Sequence, residues 1–305
     1  MEWTATKSII QPIELPLLEK KRIHLSILRE DLLHPEISGN KYRKLKYNIL
    51  HAQSLGYRKI LTFGGAFSNH IAATAKAAAL NNLEAIGIIR GEELEHRIDE
   101  NPTLRFARQN GMQFRFISRE TYRQKDSMEF VHQLQVDYPD YYIIPEGGTN
   151  ELAIRGCEEI LNEETNSFDY ICSAIGTAGT ITGIINSKAQ NQMVLGFPAL
   201  KNIDFEAEIC KLTSHKGYQI INDYHFGGYA KIKDDLIEWI NRFKDHTGIS
   251  LDPIYTGKMM YGIFDLIQND YFEFNSSILA IHTGGLQGIE GINQQLIKKN
   301  KTIIK

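Results

Sequence analysis

The sequence holds only three cysteines, Cys157, Cys172 and Cys210, widely spaced and with no C-x-x-C pair. That excludes a disulfide framework and a zinc knuckle and points to reduced thiols in a cytosolic setting. Long apolar runs are missing too: nothing approaches the ~18 consecutive apolar residues of a membrane span. The opening MEWTATKSIIQPIELPLLEKK has no basic segment leading into an apolar one, so a cytoplasmic location is expected rather than secretion. There is no excess of positive charge. The formal net charge is −3, with Lys and Arg scattered, so neither nucleic acid nor a membrane surface is expected as a partner. No solenoid-period repeat and no low-complexity linker breaks the chain.

What is present is an alternation. The 305 residues, 42% hydrophobic and 23% charged, suit a globular protein long enough for two domains. Short apolar runs at 23–28, 59–64, 85–90, 112–117, 141–145, 170–175, 193–197, 218–222 and 278–282 read as strands. Helical stretches fall at 41–55, 69–82, 102–110, 121–136, 151–164, 179–190, 234–246, 258–269 and 286–298. Strands and helices in turn argue for α/β architecture with mostly parallel sheets. Nine strands are many for one open sheet, so two open twisted sheets flanked by helices are expected. The expected division is a small α/β domain at 44–150 and a larger domain from 1–43 plus 151–305.

In such folds ligands sit beyond the carboxyl ends of strands, where helix N-termini point N–H groups at anions. Four strand-to-helix turns carry chemistry. FGGAFSNH (63–70) places Ser68, Asn69 and His70 at a helix start, where a capping role competes with binding of a carboxylate. IGTAGT (175–180) gathers Gly176, Thr177, Ala178, Gly179 and Thr180, a phosphate cradle by composition or a tight turn. It matches neither G-x-x-x-x-G-K-S/T nor G-x-G-x-x-G, so nucleotide fingerprints do not fit. IHTGGLQG (281–288) ends a strand on Thr283, and IPEGGTNELAIRG (144–156) reads as architectural. LDPIYTGKMMYGIF (251–264) brings Tyr255 and Thr256 from a Pro-bearing loop into a helix.

The segment ISGNKYRKLKYNIL (37–50) holds Lys41, Arg43, Lys44 and Lys46. At about 100° per residue Tyr42, Leu45, Ile49 and Ala52 share a face, and Lys41 lies within roughly 20–40° of Leu45 and Ala52. Arg43 and Lys46 point away and Lys44 sits on the flank, as on a solvated face. Lys41 either snorkels along the core edge or is a desolvated amine able to bond a carbonyl cofactor.

Taken together, REDLLHPEISGNKYRKL, GGAFSNH, IPEGGTNELAIRG, IGTAGTITG, DPIYTGK and IHTGGLQG resemble, in order and over nearly the whole chain, the 1-aminocyclopropane-1-carboxylate deaminase and D-cysteine desulfhydrase family. Its members are pyridoxal 5'-phosphate enzymes of the tryptophan-synthase-β fold type. The resemblance implies that Lys41 bonds the cofactor as an imine and acts as base for the substrate's α-proton. It implies that Asn69 bonds the ring hydroxyl, that Gly176 to Thr180 hold the phosphate, and that Thr283 and Thr256 face the pyridine nitrogen. Ser68, with the amides of Asn69 and His70, would hold the substrate carboxylate, and Tyr255 and Tyr229 match the two active-site tyrosines. A homodimer acting on a small amino acid is the implied assembly and partner.

Two positions depart from the family pattern. Ala178 stands where glycine is common, and Thr256 where ring-opening deaminases tend to carry glutamate. A neutral residue at 256 leaves the pyridine ring a weaker electron sink, which favours elimination of a good leaving group over ring opening. The implied activity is release of ammonia and a 2-oxo acid from a small D-configured or achiral amino acid. The alternatives are 1-aminocyclopropane-1-carboxylate deamination and a non-catalytic amino-acid binder. A Rossmann dehydrogenase fits poorly without the glycine fingerprint.

Overall fold

The structure is a computed structural model that describes Trp3 and residues 7–305. Its strands are β1 (Ile9–Ile13), β2 (His24–Arg29), β3 (Lys59–Gly65), β4 (Glu84–Arg90), β5 (Met112–Ile117), β6 (Tyr141–Ile143), β7 (Tyr170–Ile175), β8 (Met193–Pro198), β9 (Tyr218–Ile220) and β10 (Ser277–Ile281). Its helices are α1 (Pro16–Lys21), α2 (Asn40–Ser54), α3 (Asn69–Leu80), α4 (Pro102–Gln109), α5 (Arg119–Arg123), α6 (Met128–Asp137), α7 (Glu151–Glu158), α8 (Ala178–Ser187), α9 (Phe205–Cys210), α10 (Asp234–Thr247), α11 (Thr256–Gln268) and α12 (Ile289–Lys298).

The strands form two sheets, one ordered β1-β2-β10-β7-β8-β9 and one ordered β5-β4-β3-β6. All pairings are parallel except β1 with β2. The architecture is α/β with two open, mostly parallel sheets flanked by helices. Parallel strands covered on both faces read as continuous apolar runs, and β3 and β4 are buried through all five central residues. The two-residue repeat sorts their side chains. In β10, Ile278 and Ala280 face a core with Ile240 and Ile263, while Leu279 and Ile281 face one with Ile181 and Ile184. In β3, Ile60 joins Ile71 and Leu104, while Leu61 and Phe63 join Ile88 and Leu134.

The strand missing from the sequence reading is β1. Its IIQPI run contains Pro12, which a sheet accepts only where an N–H partner is not needed, and β1 lies on the sheet edge. The helical stretch expected at 121–136 is two helices, because Ser127 caps α6 by accepting the Phe130 N–H at 3.2 Å. Likewise α7 ends at Glu158, and a separate 3-10 turn follows at Glu163–Ser167, capped by Asn162.

Helix α2 packs against both α3 and α7, which corrects the solvated reading of its cations. Arg43 and Lys44 are buried, because α2 has neighbours on more than the face its apolar residues mark. Arg43 forms a bidentate pair with buried Glu30 (Nε–Oε2 3.0 Å, Nη2–Oε1 2.9 Å). Lys46 pairs with Glu159 at 2.8 Å. No helix among the described residues is long and apolar enough to cross a membrane.

Candidate active site

The N-termini of α2, α3, α8 and α11 and the ends of β3, β7 and β10 converge on one cleft of about 270 Å³. That is close to the lower end of the range for small-molecule sites, roughly 300–1,000 Å³. Gly39 makes the convergence possible. Its φ is +63° and a Cβ there would lie 1.9 Å from the Thr283 carbonyl oxygen, so only glycine lets α2 start against the end of β10. The Asn40 N–H then donates to that carbonyl at 3.2 Å. Asn40 Nδ2 donates to Thr180 Oγ1 at 2.8 Å, and its Oδ1 accepts from Lys41 Nζ at 3.0 Å. Burial brings the Lys41 amine down to about 8, against the opposing influence of Cys157 and Asp252. An amine in that range is an available nucleophile or base near neutral pH.

One helical turn on, Lys44 is 1% exposed. Its Nζ donates to Gly147 O (2.9 Å), Thr149 Oγ1 (2.9 Å) and Thr177 Oγ1 (3.1 Å), and no carboxylate among the described residues bonds it. Burial, reinforced by the charge of Lys41, lowers its amine to about 7. Beside it begins α8, whose first amides receive no side-chain cap from Thr177. The uncapped amides of α8 and the Lys41 and Lys44 amines together form a cluster of donors directed at an anion. This donor set fits a phosphate dianion.

On the facing wall, Ser68 caps α3, its Oγ accepting weakly from the Ile71 N–H at 3.4 Å. Asn69 has its Oδ1 taken by the Gln287 amide, and Gln287 is in turn bonded by Thr103 Oγ1 at 3.2 Å. That leaves the Asn69 NH₂ as the group free to donate. His70 turns inward. Thr62 Oγ1 gives its hydrogen to Ile144 O at 2.9 Å, so the 2.7 Å contact is His70 Nε2–H donating to Thr62. Burial first, then Lys41 and Lys44, holds this imidazole neutral well below its ordinary range.

At the start of α11, Tyr255 lines the cleft with its ring 6.3 Å from that of Tyr229. Burial, then the neighbouring Tyr229, raises the Tyr255 phenol well above 10 and keeps it protonated. Thr256 takes another position. It is fully buried, its Oγ1 donating to Asp252 Oδ1 at 2.7 Å, and Asp252 rather than Thr256 stands on the cleft wall. The Asp252 carboxylate also accepts the N–H groups of Ile254, Tyr255 and Thr256, each at 2.9 Å.

The cleft thus brings together Lys41, Ser68, Asn69, His70, Gly176, Thr177, Thr180, Tyr229, Tyr255 and Thr283. Ala178 and Gly179 lie buried just behind, in the first turn of α8. The sequence reading missed Lys44, the 146–149 turn, Asp252 and Gln287. Only the charge of Lys44 beside Lys41 and the PEGGT glycines offered a signal.

The family described as pyridoxal-phosphate dependent enzyme matches residues 11–284. The chain belongs to that family. It is a pyridoxal-phosphate-dependent enzyme, and pyridoxal phosphate is its cofactor. A putative 1-aminocyclopropane-1-carboxylate deaminase of Pyrococcus abyssi is 30% identical, with 94% of this chain and 92% of that one covered. The Arabidopsis thaliana mitochondrial bifunctional D-cysteine desulfhydrase/1-aminocyclopropane-1-carboxylate deaminase is 33% identical over 87% of this chain and 73% of its own. A crystal structure of an ACC deaminase homologue superposes with a TM-score of 0.81 at 28% identity, covering 98% of this chain and 95% of the other.

Proposed function

We propose that this pyridoxal-phosphate-dependent enzyme is a lyase that releases ammonia and a 2-oxo acid from a small D-configured or achiral amino acid. A D-cysteine-type thiol elimination is the preferred reaction. The observation that carries the reading is the depressed Lys41 amine in one small cleft with a pair of protonated tyrosines. Lys41 would bond the cofactor and then take the substrate's α-proton. Lys44, Thr177, Thr180 and the first amides of α8 would hold the phosphate, and Asn69 the ring hydroxyl. When bound, the cofactor supplies an electron sink for the carbanion left at Cα. Ser68 and the amides of Asn69 and His70 would orient the substrate carboxylate, and Tyr255 with Tyr229 would deliver a proton to the leaving group.

The names of the relatives favour 1-aminocyclopropane-1-carboxylate deamination as the second reading. Against it stands the buried layer beneath Tyr255. Asp252 spends its oxygens on four donors, and Thr256 is neutral, so neither supplies a free carboxylate to the pyridine nitrogen. That is adequate for expelling a thiolate and poor for opening a ring. A homodimer in a reducing, cytoplasmic setting belongs to the same reading, and sedimentation of the holoenzyme tests the dimer. The deciding assay is 2-oxo acid release from D-cysteine, D-serine, L-cysteate and 1-aminocyclopropane-1-carboxylate. A kcat/KM higher for the cyclopropane substrate than for D-cysteine would replace this reading with the second.

A further inference from the structure

Lys258 is buried, carries a charge and touches none of the cleft. It is the third residue of α11 and only 2% exposed. Its Nζ donates to two backbone carbonyls, His225 O and Gly228 O, each at 2.9 Å. No carboxylate among the described residues pairs with it, and Asp252 acts on it only through space. A long cation taken out of water for two carbonyls is an expensive way to fill a core position. The two carbonyls belong to the turn that immediately precedes Tyr229. On either side of Tyr229 the chain holds Phe226, Gly227, Gly228 and Ala230 at positive φ (53°, 95°, 111° and 54°), and two of these are residues that disfavour it. A segment in that conformation needs an outside contact to hold it. The other end of the lysine is anchored one helical turn from Tyr255, the N-cap residue of α11. One rigid helix start therefore presents Tyr255 to the cleft and an ammonium to the loop of its companion.

We propose that Lys258 is a positioning residue, whose ammonium staples the 225–228 turn to α11 and so sets Tyr229 beside Tyr255 at the cleft. The proposal rests on the reading that this tyrosine pair serves the leaving group. Phe226 against Tyr261 (5.0 Å between centroids) and Tyr224 Oη donating to Asp265 Oδ2 (2.7 Å) hold the segment upstream. Within the turn itself the Gly228 N–H donates to His225 O (3.0 Å) and the Lys231 N–H to Gly228 O (3.2 Å), and the Lys258 ammonium is what ties those two carbonyls to the start of α11.

The test uses the holoenzyme and the variants Lys258→Met, Tyr229→Phe and their double. Hydrogen exchange of peptides spanning 224–231 reports the staple directly, and visible absorption reports the bound cofactor. Lys258→Met is expected to retain the cofactor and to speed exchange in 224–231 by at least tenfold. It should also lower kcat on the best substrate to the level of Tyr229→Phe, with the double variant no slower than either single one. Unchanged exchange overturns the staple. Faster exchange with unchanged kcat and KM, or losses that multiply in the double variant, overturns the positioning role. Should Lys258→Met fail to fold, Gly228→Ala strains the same turn from the loop side and must give the same pattern. The exchange measurement needs no substrate, so a wild type inactive on every amino acid would sink the functional reading while leaving the staple to stand or fall separately.

Discussion

Replacing Lys44 by methionine keeps an unbranched apolar stem out to the ε position and removes the ammonium, which isolates that group's part in holding a phosphate. In the cofactor-free protein the amine sits at about 7, against 10.5 for an ordinary lysine. The unfolded chain therefore binds more protons than the fold between pH 7 and 10.5. The charge of Lys44 destabilises the cofactor-free fold fully below pH 7, and the penalty disappears as the pH rises toward 10.5. At about 1.4 kcal/mol per pH unit, that displacement corresponds to on the order of 5 kcal/mol. A phosphate dianion relieves part of this cost, so binding and protonation are linked. A hydrogen bond to a charged group contributes about 1.5–3 kcal/mol, so the methionine variant should bind a phosphate ligand roughly 10- to 150-fold more weakly near pH 7. The probe is pyridoxine 5'-phosphate, which lacks the aldehyde, so imine formation at Lys41 does not enter. Fluorescence titration from pH 6 to 9 should give wild-type affinity that falls as the pH rises above about 7. The variant should be weaker and nearly flat until Lys41 titrates at about 8. Affinity within threefold of wild type, with the same pH profile, would refute the assignment of Lys44 to the phosphate.

Borohydride reduction of the yellow holoenzyme should fix the cofactor to Lys41, and peptide mapping that finds it on Lys44 or Lys46 would contradict the site. Gly179→Asp should abolish cofactor retention, because a side chain there starts 3.2 Å from Lys44 Nζ and its carboxylate would take the phosphate's partner. Normal cofactor absorbance in that variant would show the loop to be merely structural. Arg43→Ala leaves buried Glu30 with the Ser8 hydroxyl but without the guanidinium that pairs with it, and should cost about 3–5 kcal/mol in urea unfolding, a loss that Glu30→Gln in the same chain should partly restore. Thr256→Glu should lower turnover of both D-cysteine and the cyclopropane amino acid, since the fully buried site faces the Asp252 carboxylate. A selective gain in ring opening would show that position 256 does reach the cofactor.

The features legible in the sequence are those written in local order. Alternating apolar runs and helical periods gave the two-sheet α/β architecture, because a parallel strand buried on both faces and its crossover helix each have their own pattern. The glycine and hydroxyl turns after β3, β7 and β10 pointed to the cleft, while the helical wheel left Lys41 open between two readings and the family resemblance singled it out. Tertiary structure decided the rest. A helical wheel identifies one buried face, but α2 lies between neighbours, so Lys44 and Arg43 on other faces are buried as well. Lys44 finds its acceptors 103 to 133 positions away, and Asn69 is oriented by Gln287, 218 positions away. No spacing rule records such pairs, since a hydrogen bond depends on separation in space and not along the chain. The same holds for β1, which becomes a strand only by pairing with the edge of β2. It holds too for Asp252, which stands on the cleft wall because the first turn of α11 needs a cap and Thr256 turns inward to bond it.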